Sequence, residues 1–182
     1  MVNPPALADA LDIEKLKGLH RCFVTGVTAV TTMESDAPRG LIVNAFSSLS
    51  LDPPTVLVCV QKSSRSYPAL FSNDLLAINI LAAEQERECQ SLASKQPDKF
   101  AQVNWHPGPH GAPVLTAAAA WLEATITERI QASTHTLFIA RVLAAEFTRR
   151  APLLYAGGRF FDGSVLESSR PHPFARNEYS HV

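Results

Sequence analysis

The sequence predicts a mainly β protein, built as a closed or split barrel with a few helices. Three observations lead there. At least six segments rich in β-branched and aromatic residues recur along the 182 residues, separated by turns of Pro, Gly and Ser. Only two or three stretches carry a helical pattern. No repeat and no linker divides the chain, so one sheet system must hide its own edges, which closure does.

Taken in order, MVNPPALADAL at the start reads as a loose arm. Asp12 to His20 comes next as a short helix that Gly18 weakens near its end. CFVTGVTAVTT, residues 22–32, is a strand pattern with Gly26 as its bulge or close-approach point. LIVNAFSSLSLDPP, residues 41–54, reads as one strand of period two that ends at Asp52-Pro53-Pro54. TVLVCV (55–60) and LLAINIL (75–81) are apolar throughout and predict buried strands, with a helical turn at SYPALFSND between them. Ala83 to Ser94, dominated by Glu and Gln, predicts a surface helix. Residues 96–113 form a Pro/Gly-rich connection of a length that is usually functional. Leu122, Ala124, Ile126 and Ile130 alternate with Glu123, Thr125, Thr127 and Arg129, which predicts a half-buried strand with the second set facing water. Thr134 to Phe147 pairs with it, and LLYAGGRFF (153–161) reads as two short strands around a Gly-Gly turn.

Composition narrows the function classes. An apolar fraction of 46% with 18% charged residues describes an ordinary globular chain. Sixteen basic against seventeen acidic residues leave a net charge of −1, which gives no support for nucleic-acid or membrane-surface binding. Cys22, Cys59 and Cys89 share no metal or redox spacing and read as buried free thiols in a reducing cytoplasm. Neither an export signal nor a membrane span is expected from the opening residues or from any apolar run. No G-x-S-x-G, no H-E-x-x-H and no G-x-G-x-x-G after a strand is present, and His106 and His110 sit in a loop that holds no helical face. The chemistry, if there is any, belongs to a borrowed cofactor.

Three polar segments are candidates for holding one. In 41–54 the alternation puts Asn44, Ser48, Ser50 and Asp52 on one face, and the short neutral groups of Asn44, Ser48 and Ser50 could line a ligand roughly 20 Å long. A solvated strand face is the plain alternative. KSSRS, residues 62–66, brings Lys62 and Arg65 together with Ser63, Ser64 and Ser66. That set makes a phosphate cradle or an ordinary polar turn. His135, in STHT, opens an otherwise apolar strand and reads as a chemical or a structural residue.

In sequence order these segments resemble the short-chain flavin reductases, the reductase components of two-component flavin-dependent monooxygenases. The resemblance runs through FVTGVTAVTT (23–32), GLIVNAFSSLSLDPPTVLVCV (40–60), LLAINIL, DKF (98–100), GAPVL (111–115), THTLFIARV (134–142) and PLLYAGGRF (152–160). It covers about residues 15–163, leaving a flexible arm over 1–14 and a tail over 164–182. It implies a split β-barrel of the FMN-binding type with Greek-key antiparallel strands, normally a homodimer. It implies that Ile42, Val43, Asn44, Ala45, Ser48, Leu49 and Ser50 border the flavin, FMN or FAD. Ser63, Ser64, Arg65 and Ser66 would hold its phosphate, with Lys99 and Phe100 beside it. His135, as the catalytic-site histidine, would meet the nicotinamide of NADH or NADPH together with Tyr155 and Arg159. Ile42 replaces the family's usual Thr, Ala45 its common Ser, and Ser133-Thr134-His135 its Gly-Asp-His.

The resulting reading is an NAD(P)H:flavin oxidoreductase that hands reduced flavin to a separate monooxygenase. The alternatives are a protein of the same fold that keeps its flavin, and a non-catalytic dimeric barrel that uses the groove for something else.

Overall fold

In a computed structural model, the structure describes residues 12–168; the remainder of the predicted arm and tail lies outside the described residues. The first helix, α1 (Ile13–Arg21), is capped by Asp12, whose carboxylate accepts from the Glu14 N–H at 2.9 Å. The predicted strand over 22–32 is two strands, β1 (Thr25–Gly26) and β2 (Thr28–Glu34).

The predicted single strand over 41–54 is likewise two, and here the structure corrects the sequence. The first, β3 (Ala37–Val43), stops before Asn44, and β4 (Phe46–Leu51) begins afresh. β3 pairs with β2, whereas β4 pairs with β5 (Pro54–Gln61) and carries a register shift between Ser48 and Ser50. The ladders explain the break. The Ala45 carbonyl already accepts from the Cys59 N–H at 3.0 Å, so the chain crosses at Asn44-Ala45 from one pairing to another. The single polar face of Asn44, Ser48 and Ser50 therefore does not exist.

The chain continues through α2 (Tyr67–Ser72), β6 (Leu75–Ile80) and α3 (Glu86–Ala93). The long connection is not structureless. It contains β7 (Trp105–Pro107), which pairs with β8 (Pro113–Leu115). Then come the long hairpin β9 (Ala120–Ala132) and β10 (His135–Phe147), the short hairpin β11 (Leu153–Ala156) and β12 (Arg159–Asp162), and a last turn, α4 (Val165–Ser168).

Seven strands form one sheet in the order β3-β2-β6-β9-β10-β5-β4, and β1-β11-β12 form a second. The fold is mainly β, as predicted. Closure is not seen: no ladder joins the edge strands β3 and β4 among the described residues, and the sheets are open.

The main core lies inside the curl of the large sheet, where Val30, Val58, Leu70, Leu76, Ile78 and Phe138 are at most 1% exposed. Each such side chain contributes about 1.5–3 kcal/mol by leaving water. A second cluster, with Val27, Leu81, Cys89, Leu92 and Leu115, binds α3 and the small sheet to the back of β2. All three cysteines are free thiols, but only Cys89 is buried; Cys59 is half-buried, and Cys22, at the end of α1, is exposed. Buried polar groups stitch the layers together. Asn79 accepts from the Leu115 N–H at 2.8 Å and donates to the Ala29 carbonyl, and Thr31 donates to the Pro113 carbonyl at 2.5 Å.

Glu123 departs from the expected alternation. It is fully buried instead of facing water, and its carboxylate accepts from the N–H groups of His110 and Ala112, each at 2.8 Å. The loop between β7 and β8 is folded around this acid. A Cβ on Gly108 would lie 2.6 Å from the carboxyl carbon, so only glycine fits there. The two backbone donors supply the partners that a buried carboxylate requires.

Candidate functional site

The turn that carries β5 into α2 is built by its own serines. The Ser64 N–H donates to the Gln61 carbonyl at 3.1 Å, and the Ser66 N–H donates to Ser64 Oγ at 3.3 Å. Ser66 is 3% exposed and its hydroxyl donates to the Gly40 carbonyl at 2.5 Å, so it fastens the turn to β3. Lys62 turns away, donating to Gln131 on β9. The N–H groups of Ser63 and Arg65, the Ser63 hydroxyl and the Arg65 guanidinium make no hydrogen bond within the described residues.

These groups open onto a groove of about 840 Å³. Its floor is the end of β3 and the crossing after it: Ile42, Val43, Asn44 and Ala45. Ser63, Ser64 and Arg65 form one wall, and Lys99 lies beside them. His135 lines the same groove, because β10 begins beside the end of β5, with His135 opposite Gln61. Its Nδ1 lies 2.8 Å from Thr134 Oγ1, which leaves Nε2 without a partner among the described residues. The Asn44 side chain is exposed and likewise unpartnered.

Not every predicted residue arrives there. Ser48, Leu49 and Ser50 lie on β4, on the far edge of the sheet, and line no part of the groove. Ser66 and Phe100 belong to an adjoining cleft of about 320 Å³, which Arg65 and Lys99 also line. Phe100 covers Gly40 so closely that a Cβ there would lie 3.2 Å from the ring. Tyr155 meets Phe160 at a tilt of 55°, ring centroids 5.4 Å apart, and packs on the second core cluster, as Ile42 does. Arg159 is exposed, its guanidinium 6.0 Å from the Phe161 ring centre. Neither residue lines the groove.

The opposite wall was missed by sequence reasoning. It is the last turn of α3 with the residues just after it: Leu92, Ala93, Ser94 and Lys95. Lys99 ties this wall down, donating from Nζ to the Leu92 carbonyl at 2.8 Å, where the helix end welcomes a cation. Burial, and then the Arg65 charge nearby, hold the Lys99 ammonium below its ordinary pKa. Cys59 also reaches the groove, and burial raises its thiol pKa. Only the acidic, amphipathic pattern of α3 hinted at this wall, and that pattern does not say what the helix covers.

Chemically, the groove offers a neutral, hydrogen-bonding floor and a cationic end with free backbone donors. That combination suits a planar, uncharged heteroaromatic ring joined to a phosphate. No group of three or more His, Cys, Asp or Glu able to hold a metal occurs among the described residues.

Comparison with known proteins gives the same direction. The family model described as "Flavin reductase like domain" matches residues 20–164. A probable flavin reductase of Rhizobium meliloti is 39% identical over 85% of this chain, which spans half the length of that relative. The reductase subunit of a flavin-dependent monooxygenase of Rhodococcus jostii is 34% identical, with 92% of this chain and 86% of the relative covered. Among solved structures, the NADH:FAD oxidoreductase of Streptomyces globisporus superposes with a TM-score of 0.79 at 36% identity, covering 88% of this chain and 98% of that one. That enzyme has also been solved with NAD and FAD fragments.

Proposed function

We propose, because this chain belongs to the flavin reductase family, that it is an NAD(P)H:flavin oxidoreductase supplying reduced flavin to a separate monooxygenase. The observation that carries the reading is the convergence of unpartnered groups on one groove. Asn44 sits on its floor, the Ser63 and Arg65 N–H groups and the Arg65 guanidinium stand at one end, and His135 lies on its rim.

The residues fit a flavin mononucleotide unit. Ile42 to Ala45 would lie along the ring system and Asn44 would meet its polar edge, while Ser63, Ser64, Arg65 and Lys99 would hold the phosphate. Bound flavin would supply the two-electron acceptor for hydride from the nicotinamide. The chain itself binds and orients, and proximity is its main contribution. His135 would position the nicotinamide, and Tyr155 would support the groove floor from behind through the cluster it shares with Ile42. Thr134 fixes the imidazole through Nδ1, leaving Nε2 to the ligand.

The finer parts of this reading are a split barrel over residues 15–163, a homodimer and a cytoplasmic setting. The exposed Phe23, Leu51 and Phe147 supply apolar surface for a second subunit. No helix among the described residues is long and apolar enough to cross a membrane.

The test is direct. The purified chain is mixed with NADH or NADPH and excess FMN or FAD, and loss of nicotinamide absorbance is monitored. Turnover with either pair supports the reading. Flat traces with all four pairs overturn it, and flavin that co-purifies in stoichiometric amount without turnover would indicate a flavin carrier.

A further inference from the structure

We propose that Tyr67 is a positioning residue for the nicotinamide step: through Thr136 it holds His135 in place relative to the turn assigned to the flavin phosphate. The inference rests on the flavin reading above and deepens it.

His135 is the first residue of β10, and the hairpin tip that delivers it has little packing of its own. Residues 130–134 are exposed, and Ser133 turns the chain at φ 48°. Ladder pairing of His135 with Gln61 and Ala132 sets its register. Further braces come from the two ends of the turn between β5 and α2. Before the turn, the Lys62 N–H donates to the Thr134 carbonyl at 2.9 Å, and the Lys62 ammonium donates to Gln131 Oε1 at 3.2 Å. After it, the Tyr67 hydroxyl is hydrogen-bonded to Thr136 Oγ1 at 2.9 Å. Ser63, Ser64 and Arg65 lie between these two anchors, so one turn carries the phosphate wall and clamps the hairpin that carries the histidine.

Of the two side-chain braces, the one from Tyr67 is the more sheltered. The Lys62–Gln131 bond is exposed, where water competes for both partners, whereas Thr136 is fully buried. The Tyr67 ring also meets Phe138 edge-on, centroids 6.3 Å apart. Thr136 and Phe138 are two apart on β10 and share its buried face, so hydroxyl and ring together dock the start of α2 onto that face. His135, one residue before Thr136, projects from the other face and lines the groove. Fixing Thr136 therefore fixes the backbone from which the imidazole projects. Tyr67 itself does not line the groove, so its influence on the reaction passes through its neighbour.

The experiment is steady-state kinetics on the full chain with the nicotinamide and flavin pair that wild type turns over, with a separate flavin titration and a melting curve for each variant. Tyr67→Phe and Thr136→Val are each expected to raise the nicotinamide KM by roughly 3- to 10-fold, the span of one neutral hydrogen bond, with flavin Kd within about twofold of wild type. The double variant Tyr67→Phe/Thr136→Val separates positioning from stability. It leaves no orphaned buried hydroxyl, so its Tm is expected to return toward wild type while KM stays as high as in the single variants. Added to His135→Ala, Tyr67→Phe is expected to change KM by less than about twofold, because the group it positions is gone. An unchanged KM in Tyr67→Phe overturns the proposal and leaves the flavin reading intact. So does a KM that recovers together with Tm in the double variant, or one that rises as much in the His135→Ala background as in wild type. Equal weakening of flavin and nicotinamide in Tyr67→Phe also overturns it, since the contact would then be structural. Wild type that turns over no pair removes the flavin reading and this proposal together.

Discussion

Lys99 Nζ donates to the Leu92 carbonyl at 2.8 Å, and this contact fixes a cation at the junction between the groove and the cleft. The position is electrostatically uneasy. Burial and the neighbouring Arg65 both disfavour the charged form, so its pKa lies below the ordinary 10.5.

That shift has a signed consequence. As pH rises, Lys99 loses its proton before an ordinary lysine does, and an anionic ligand at this junction loses one partner. Affinity for a phosphate-bearing flavin is expected to weaken through the range below 10.5, and Lys99→Met is expected to flatten that dependence. Fluorescence titration across alkaline pH measures it. An unchanged pH profile in Lys99→Met would remove Lys99 from the anion site.

Arg65 carries the larger share, because its guanidinium has no partner among the described residues. A charge-assisted bond to phosphate is worth about 1.5–3 kcal/mol, so Arg65→Ala is expected to raise the flavin Kd by roughly 10- to 150-fold. Thermal stability should stay near wild type, since no internal contact is lost. Unchanged flavin affinity would refute the assigned phosphate wall.

For His135→Ala the expected effect falls on the reductant. The apparent KM for the nicotinamide nucleotide rises, while the flavin Kd moves little. Thr134→Val, which removes the partner of Nδ1, is expected to shift the same KM in the same direction but less. Steady-state kinetics with a separate flavin titration distinguish this from a structural histidine, whose loss would lower stability and disturb both ligands.

The turn before His135 holds Ser133 at φ 48°, where the family pattern has glycine. A left-handed serine costs on the order of 1–2 kcal/mol relative to its preferred backbone, part of which a glycine recovers. Ser133→Gly is expected to stabilise the chain by about 0.5–1 kcal/mol, a rise of a few degrees in Tm. A lower Tm would show that the serine makes a contact worth more than the strain.

Glu123→Gln tests the buried acid. The side-chain amide can replace only one of the two carboxylate acceptors of the His110 and Ala112 N–H groups, which costs about 1–3 kcal/mol. Denaturant unfolding measures the loss. Full stability in the variant would mean that the loop between β7 and β8 is held by other contacts.

Most of the elements were legible because their signals are local. Asp12 caps α1, apolar β-branched runs give β5 and β6, and Gly157-Gly158 turn the last hairpin with positive φ at both positions. The failures share one cause: each depends on a partner distant in sequence. Period two ran straight through Asn44, because only the pairing of Cys59 with Ala45 shows that the chain changes ladders there. Glu123 looked solvent-facing because the donors that permit its burial lie in the loop 11–13 residues earlier. In the site, Asn44, Ser63, Ser64, Arg65, Lys99 and His135 do come together. Ser66, expected at the phosphate, donates to the Gly40 carbonyl and lines the adjoining cleft, while Ser48 and Ser50 lie on the edge strand β4. The α3 wall could not be read at all, since a helix face does not announce what it stands opposite.

The most direct test of the central claim is a crystal structure of this chain with FAD. The account predicts the ring system on the Ile42–Ala45 floor, the first phosphate against Ser63, Ser64 and Arg65, and His135 facing the open side. A flavin bound elsewhere, with Asn44 and Arg65 turned to solvent, would contradict it.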